Sequence, residues 1–227
     1  WLAEAIERFG PIFAQYYGQS EAPMVISYLA KGDHPGPGED QRRLSSCGRP
    51  SAFLRTALLG PDDKPVPQGE PGEICVAGPL LAGGYLGLPE QTADTFRDGW
   101  LRTGDVARED EDGAFFIVDR KKDMILRGGY NVYPREVEEA IYLFPGVVEA
   151  AVLGVPSEKH GEEVGAVVVF ESGVLESKGR EALTRELDAF VQERVAKYKY
   201  PRIYRIVDEL PKGPTGKILK RELTLDA

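Results

Sequence analysis

Between residues 134 and 144 the apolar positions Val137, Ile141 and Phe144 recur at helical spacing behind Pro134, a residue suited to a first turn. The same period puts Leu183, Leu187, Phe190, Val191 and Val195 on one stripe of a helix over "REALTRELDAFVQERVA". It also puts Leu2, Ile6 and Phe9 on one face of an opening helix, with Gly10 as its C-cap. "VVEAAVLGVP" and "GAVVVFE" read differently, as near-continuous β-branched runs of the kind buried strands require. "RIYRIVDEL" follows as a further strand. The second half of the chain therefore reads as a compact α/β unit.

The first half carries another rhythm. "PIFAQYYG" predicts a short strand leading into a loop, and residues 31–43, polar and broken by Gly and Pro, predict a surface loop. From about residue 51 to 119, short strands ("AFLRTALLG", "GEICVAG", "GAFFIVD") alternate with turn-rich links, the pattern of a small antiparallel barrel or sandwich. One helix, "PEQTADTF", interrupts it. The two characters meet in "VDRKKDMILRGG", where a strand runs into a dense charged cluster and then a glycine pair. The expected division is residues 1–120 and 121–227.

With 227 residues there is ample core for two modest domains. A net charge of -9 disfavours nonspecific attraction to nucleic acid, so an anionic substrate must be met by locally placed cations. Cys47 and Cys75 form no metal-ligand spacing and suggest a reducing, cytoplasmic setting. The longest apolar runs are far too short to span a bilayer. The chain opens on Trp1 inside a helical pattern, which reads as a piece of something longer.

Taken one at a time, the candidate motifs are weak. "YYGQSE" reads as a strand-to-loop exit, and Asp105 in "WLRTGD" as a turn aspartate. "VDRKKD" reads as a solvated charge run, and "RGGYNVYP" as a loop where backbone bends or approaches something closely. "PKGPTGKILKREL" suggests a phosphate loop, but only Pro214 and Thr215 separate Gly213 from Gly216-Lys217, and Ile218 follows the lysine. The P-loop spacing is therefore absent.

Their order is specific. "YGQSE" resembles the Tyr-Gly-x-Thr-Glu motif of the adenylate-forming superfamily of acyl-CoA synthetases, luciferases and peptide-synthetase adenylation domains. "PGEICVAGPLLAGGYLG" is similar to its Gly-Glu…Gly-Tyr segment, "WLRTGD" to its Thr-Gly-Asp, "DRKKDMILRGGYNVYPREVE" to its hinge and glycine loop, and "PKGPTGKILKREL" to its closing lysine motif. The resemblance implies an α/β (α+β) fold. Residues 1–120 would be the end of a large N-terminal domain, with a β-barrel subdomain from about residue 45. Residues 121–227 would be a small mobile lid. The phosphate loop and most of the acyl pocket would lie upstream of Trp1.

It also implies roles. ATP would transfer AMP to a small-molecule carboxylic acid, and the coenzyme A thiol would then displace AMP. Bringing carboxylate and α-phosphate together at ~4 Å costs roughly 4 kcal/mol at an effective dielectric of ~20. Lys217, a compact cation on a long stem, would offset that repulsion as the catalytic residue. Tyr17 would stack on adenine and Ser20, in place of the usual threonine, would bond the α-phosphate. Glu21 would hold Mg²⁺. Asp105 would take both ribose hydroxyls and Arg120 would reach ribose or phosphate. Lys122 would be the hinge, and Gly128 and Gly129 would line the pantetheine tunnel.

Three readings stand open. One is an acid–CoA ligase acting on a fatty or aromatic acid, the branch that "DRKKDMILRGGYNVYP" resembles. A second is an adenylation domain loading a carrier protein, and the third a noncatalytic fragment that binds nucleotide weakly.

Overall fold

A computed structural model describes residues 2–36, 41–214 and 216–225. Trp1, residues 37–40 of the expected surface loop and Thr215 of the lysine motif lie outside the described residues. The chain divides into two compact units, Trp1–Lys121 and Lys122–Ala227.

In the first unit, helix α1 (Leu2–Phe9) ends where predicted: the Gly10 amide donates to Ile6 O at 2.8 Å. Strands β1 (Gln15–Gln19) and β2 (Ala22–Leu29) form a tight antiparallel hairpin whose tip is Ser20-Glu21, with Gln19 facing Ala22. The expected strand-to-loop exit is thus a strand-to-strand turn. Short β3 (Arg49–Pro50) completes this three-stranded sheet.

A second sheet is built from β4 (Arg55–Leu59), β5 (Gly72–Ala77), β6 (Phe96–Arg97), β7 (Trp100–Glu109) and β8 (Phe115–Arg120), with helix α2 (Pro89–Thr95) before β6. All its pairings are antiparallel, in the order β4-β5-β7-β6, and β8 joins β7. The result is a half-barrel. Both sheets share one core: Ala22, Ile26, Leu58, Ile74, Val76, Leu101 and Phe115 bury together, with Tyr17 packed against them.

The ten-residue β7 is the largest departure from the sequence pattern. "WLRTGD" reads as turn chemistry, yet it lies inside this strand. Glu73 pairs with Val106 and Cys75 with Arg102, so β7 carries two extra residues opposite Ile74. That is a bulge, and Gly104 adopts φ +73° within it. Glycine-aspartate here bends a strand without ending it.

The second unit contains β9 (Ile125–Arg127), β10 (Tyr130–Val132), α3 (Pro134–Tyr142), β11 (Val147–Ser157), β12 (Gly161–Phe170), α4 (Ser172–Lys178), α5 (Arg180–Gln192) and β13 (Ile203–Val207). The long β11–β12 hairpin is its backbone. β13 adds parallel to β12 through the α4–α5 crossover, and β9 meets β12 antiparallel at Arg127 and Gly161. Val164, Ala166, Val168 and Phe170 of β12 face the core with Val137 and Ile141 of α3 and Leu183, Leu187 and Val191 of α5. The alternate residues Val167 and Val169 pack with Leu210, Ile218, Leu223 and Leu225 of the C-terminal segment. The strand is apolar at nearly every position because it is covered on both faces.

Candidate active site

The first unit gathers two of the sequence-selected residues, Tyr17 and Arg120, around the carboxylate of a third, Asp105. Asp105 and Arg120 are directly paired across the β7–β8 ladder, and Arg120 Nε lies 2.9 Å from Asp105 Oδ1. On the other side the Tyr17 hydroxyl, 88 residues away in the chain, donates to Asp105 Oδ2 at 2.7 Å. The Thr103 hydroxyl donates to Ile74 O at 2.7 Å and accepts the Asp105 amide at 3.1 Å, which fixes the bulge that aims the carboxylate. Asp105 is only 7% exposed. Burial, then the charge of Asp105 and the bond to it, push the Tyr17 phenol far above its ordinary pKa. Tyr17 therefore stays protonated and serves as a donor.

Ser20 and Glu21 sit at the tip of the β1–β2 hairpin. Ser20 is exposed, and its hydroxyl has no partner among the described residues. The Tyr85 hydroxyl donates to Glu21 Oε1, and this bond is the main cause of the raised Tyr85 pKa. The Ala82 amide donates to Glu21 O at 2.8 Å, and the Tyr85 amide to Thr92 Oγ1 of α2 at 2.8 Å. The segment "LLAGGYLG" is thus laced between the hairpin tip and α2.

The second unit holds the other four. Lys122, exposed, is its first residue. Gly128 and Gly129 are the two turn residues of the β9–β10 hairpin, where Arg127 faces Tyr130, with φ of +56° and +85°. Two positive φ values in succession are what a two-residue hairpin of this hand needs, so the turn alone calls for glycine. A Cβ on Gly129 would meet nothing within 4 Å, and one on Gly128 would lie 3.3 Å from His160 Nδ1. The turn is further tied by the Gly128 amide, which donates to His160 O at 2.9 Å.

Lys217 lies on a closed loop. Leu219 N donates to Pro211 O at 2.8 Å and Gly213 N to Lys217 O at 2.9 Å. Ile218 and Leu223 anchor the segment to the sheet. The neighbouring lysines are engaged: Lys212 pairs with Glu149, and Lys220 with Glu138 Oε1 at 2.6 Å. Glu138 in turn accepts the Val152 amide at 2.8 Å. Lys217 is exposed and has no ion-pair partner among the described residues.

The sequence signature of AMP-binding enzymes matches residues 1–86, and that of the AMP-binding enzyme C-terminal domain matches residues 136–217. The chain belongs to the adenylate-forming family of AMP-binding enzymes. It is 58% identical over 217 residues to a medium/long-chain-fatty-acid–CoA ligase of Mycobacterium tuberculosis, covering 95% of this chain and 37% of that protein. It is 44% identical over 214 residues to a feruloyl-CoA synthase of an Amycolatopsis species, covering 94% of this chain and 41% of the relative. The structure of the o-succinylbenzoate CoA synthetase of Bacillus subtilis with its acyl-adenylate superposes with a TM-score of 0.81 at 30% identity. That match covers 100% of this chain and 44% of the synthetase. The chain thus spans about two fifths of the length of these curated relatives.

Against that family, the donor sets fit the groups expected. Asp105 has two oxygens with spare lone pairs beside their present partners, as a diol acceptor needs. Glu21 Oε2 has no hydrogen-bond partner among the described residues, which leaves one hard oxygen for a magnesium ion. No cluster of three or more His, Cys, Asp or Glu side chains gathers among the described residues. No helix among them is long and apolar enough to cross a membrane.

Sequence reasoning passed over Tyr85, Thr103 and Glu73. Tyr85 and Glu73 lie inside a quoted motif, but their partners, Glu21 and Gly104, are 64 and 31 residues distant. The available signal for Glu73 was a carboxylate within the otherwise apolar run "GEICVAG".

Proposed function

We propose that the protein carrying this chain is an ATP-dependent acid–CoA ligase that joins a carboxylic acid to AMP with release of pyrophosphate, then transfers the acyl group to the coenzyme A thiol. A fatty acid is the favoured substrate, because the relative at 58% identity bears that name. The observation that carries the reading is the isolation of one cation. Of three lysines in the closing motif, Lys212 and Lys220 are held by glutamates, whereas Lys217 is presented without a partner among the described residues.

In the first step Asp105 would hold the ribose hydroxyls, positioned by Tyr17 and Arg120. Ser20 would donate to the α-phosphate, and Tyr17 would present its ring to the adenine. Magnesium, held by Glu21, would neutralise phosphate charge. Lys217 would stabilise the charge that develops as a carboxylate oxygen attacks the α-phosphorus and pyrophosphate departs. In the second step the thiolate attacks the acyl carbon and AMP leaves. The Gly128-Gly129 turn, with no Cβ in the way, would let the thin pantetheine arm pass. The change between steps would be a rotation about Lys122.

The test is a panel of fatty, aromatic and short dicarboxylic acids, given to the full-length protein with ATP and CoA. AMP release accompanied by acyl-CoA is the expected result. Absence of AMP release with every acid would overturn the reading. Acyl transfer to a carrier-protein phosphopantetheine but not to CoA would replace it with the carrier-loading alternative.

A further inference from the structure

Glu73 is the second residue of a strand, β5, that is otherwise apolar and buried along its whole length. It is 6% exposed, and burying a carboxylate at such a place is costly unless its oxygens are satisfied. Both are. Oε1 accepts the Gly104 amide at 3.0 Å, and Oε2 pairs with Lys121 Nζ at 2.8 Å. Neither partner belongs to the proposed chemistry, yet each adjoins a residue that does. Gly104 is the bulged residue before Asp105, and Lys121 lies between Arg120 and Lys122.

The bulge gives the first contact its meaning. An extra pair of residues in β7 breaks the regular ladder opposite Ile74, and the Gly104 amide loses a strand partner there. Glu73 supplies the missing acceptor. The bulge, and with it the direction of the Asp105 side chain, is fastened from β5. The second contact fastens the end of β8. Lys121 is the last residue of the first unit, and although its side chain is 54% exposed its ammonium is held on the buried Glu73 carboxylate.

We propose that Glu73 is the positioning residue of the ribose clamp: one oxygen holds the bulge that aims Asp105, and the other pins Lys121. A rotation that begins at Lys122 then leaves Arg120 seated on Asp105. The inference rests on the reading of Asp105 as the acceptor of the ribose hydroxyls. Glutamine at position 73 could satisfy Gly104 or Lys121 but not both, because its amide NH₂ would face a donor.

The experiment compares ATP with 2′-deoxyATP as substrates of the full-length protein, for wild type and for Glu73→Gln, Lys121→Met and Asp105→Asn. Glu73→Gln is expected to lower the preference for ATP about fivefold, the effect of one hydrogen bond of ordinary strength, through a rise in KM for ATP alone. Lys121→Met is expected to lower it about twofold, since the bulge keeps its own contact. Equal losses with both nucleotides, as a merely structural role would give, would overturn the proposal. So would an unchanged preference in both variants while Asp105→Asn loses it. Should Asp105→Asn itself retain the preference, the ribose reading fails and takes the positioning role with it. If Glu73→Gln does not fold, Lys121→Met, changed at an exposed ammonium, decides alone: an unaltered preference there overturns the proposal.

Discussion

Asp105 faces Arg120 across the β7–β8 ladder, and the pairing that aligns their backbones brings the guanidinium Nε to 2.9 Å from the carboxylate. The same carboxylate accepts the Tyr17 hydroxyl from a strand of another sheet. Asp105→Asn keeps an oxygen for Tyr17 and removes the charge. The asparagine NH₂ then faces the guanidinium, but the Arg120 side chain is 46% exposed and can turn to water, so the stability cost is about 1 kcal/mol. The KM for ATP is expected to rise about tenfold or more, the range for hydrogen bonds to a charged group. ATP titrations alongside thermal melts check this; an unchanged KM in a variant that melts as a folded protein would contradict it.

Lys217→Ala should abolish acyl-AMP formation, by a factor on the order of 10²–10³, the range seen when one group stabilising transition-state charge is removed. Thioester formation from supplied acyl-AMP should persist, and so should the fold, because the side chain is exposed. Lys220→Ala is expected to act more mildly, by freeing Glu138 and loosening the loop. Separate assays of the two half-reactions decide the matter, and equal loss of both in Lys217→Ala would refute the assignment.

Tyr17 supplies a pH dependence with a definite sign. Its folded pKa lies above the unfolded value of about 10, because burial and Asp105 favour the neutral phenol. The stabilising contribution is therefore complete below about pH 10 and declines as pH rises further, by about 1.4 kcal/mol per unit for this one group. Tyr17→Phe should lower stability near neutrality by about 1 kcal/mol and flatten the loss above pH 10. Tyr204, Cys47 and Cys75, raised chiefly by burial, and Tyr85, raised chiefly by its bond to Glu21, leave a residual slope common to both proteins. Denaturant midpoints from pH 8 to 11 provide the measurement; identical slopes in both proteins would rule out the role.

The Gly128-Gly129 turn separates conformational cost from obstruction. Gly129→Ala places a Cβ in open space at φ +85°, so its expected effect is a strain of about 1 kcal/mol with both half-reactions retained. Gly129→Trp should selectively stop the CoA step. A normal rate of thioester formation in the tryptophan variant would count against the tunnel.

Much of the fold was readable before any coordinates, because burial imposes a local period. Helix α3 with Val137 and Ile141 inside, helix α5 with Leu183, Leu187 and Val191 inside, and the doubly covered strand β12 all declare themselves in their spacing. The family, too, was written in ordered motifs. Tertiary structure alone decided that Gly104-Asp105 is a strand bulge and not a turn, since the two have the same composition and differ only in the partner strand opposite. It alone brought Tyr17 to Asp105 and Glu73 to both Gly104 and Lys121. Periodicity records which face of an element is dry. The register between strands far apart in the chain sets which polar atoms meet across it, and no local pattern encodes that register.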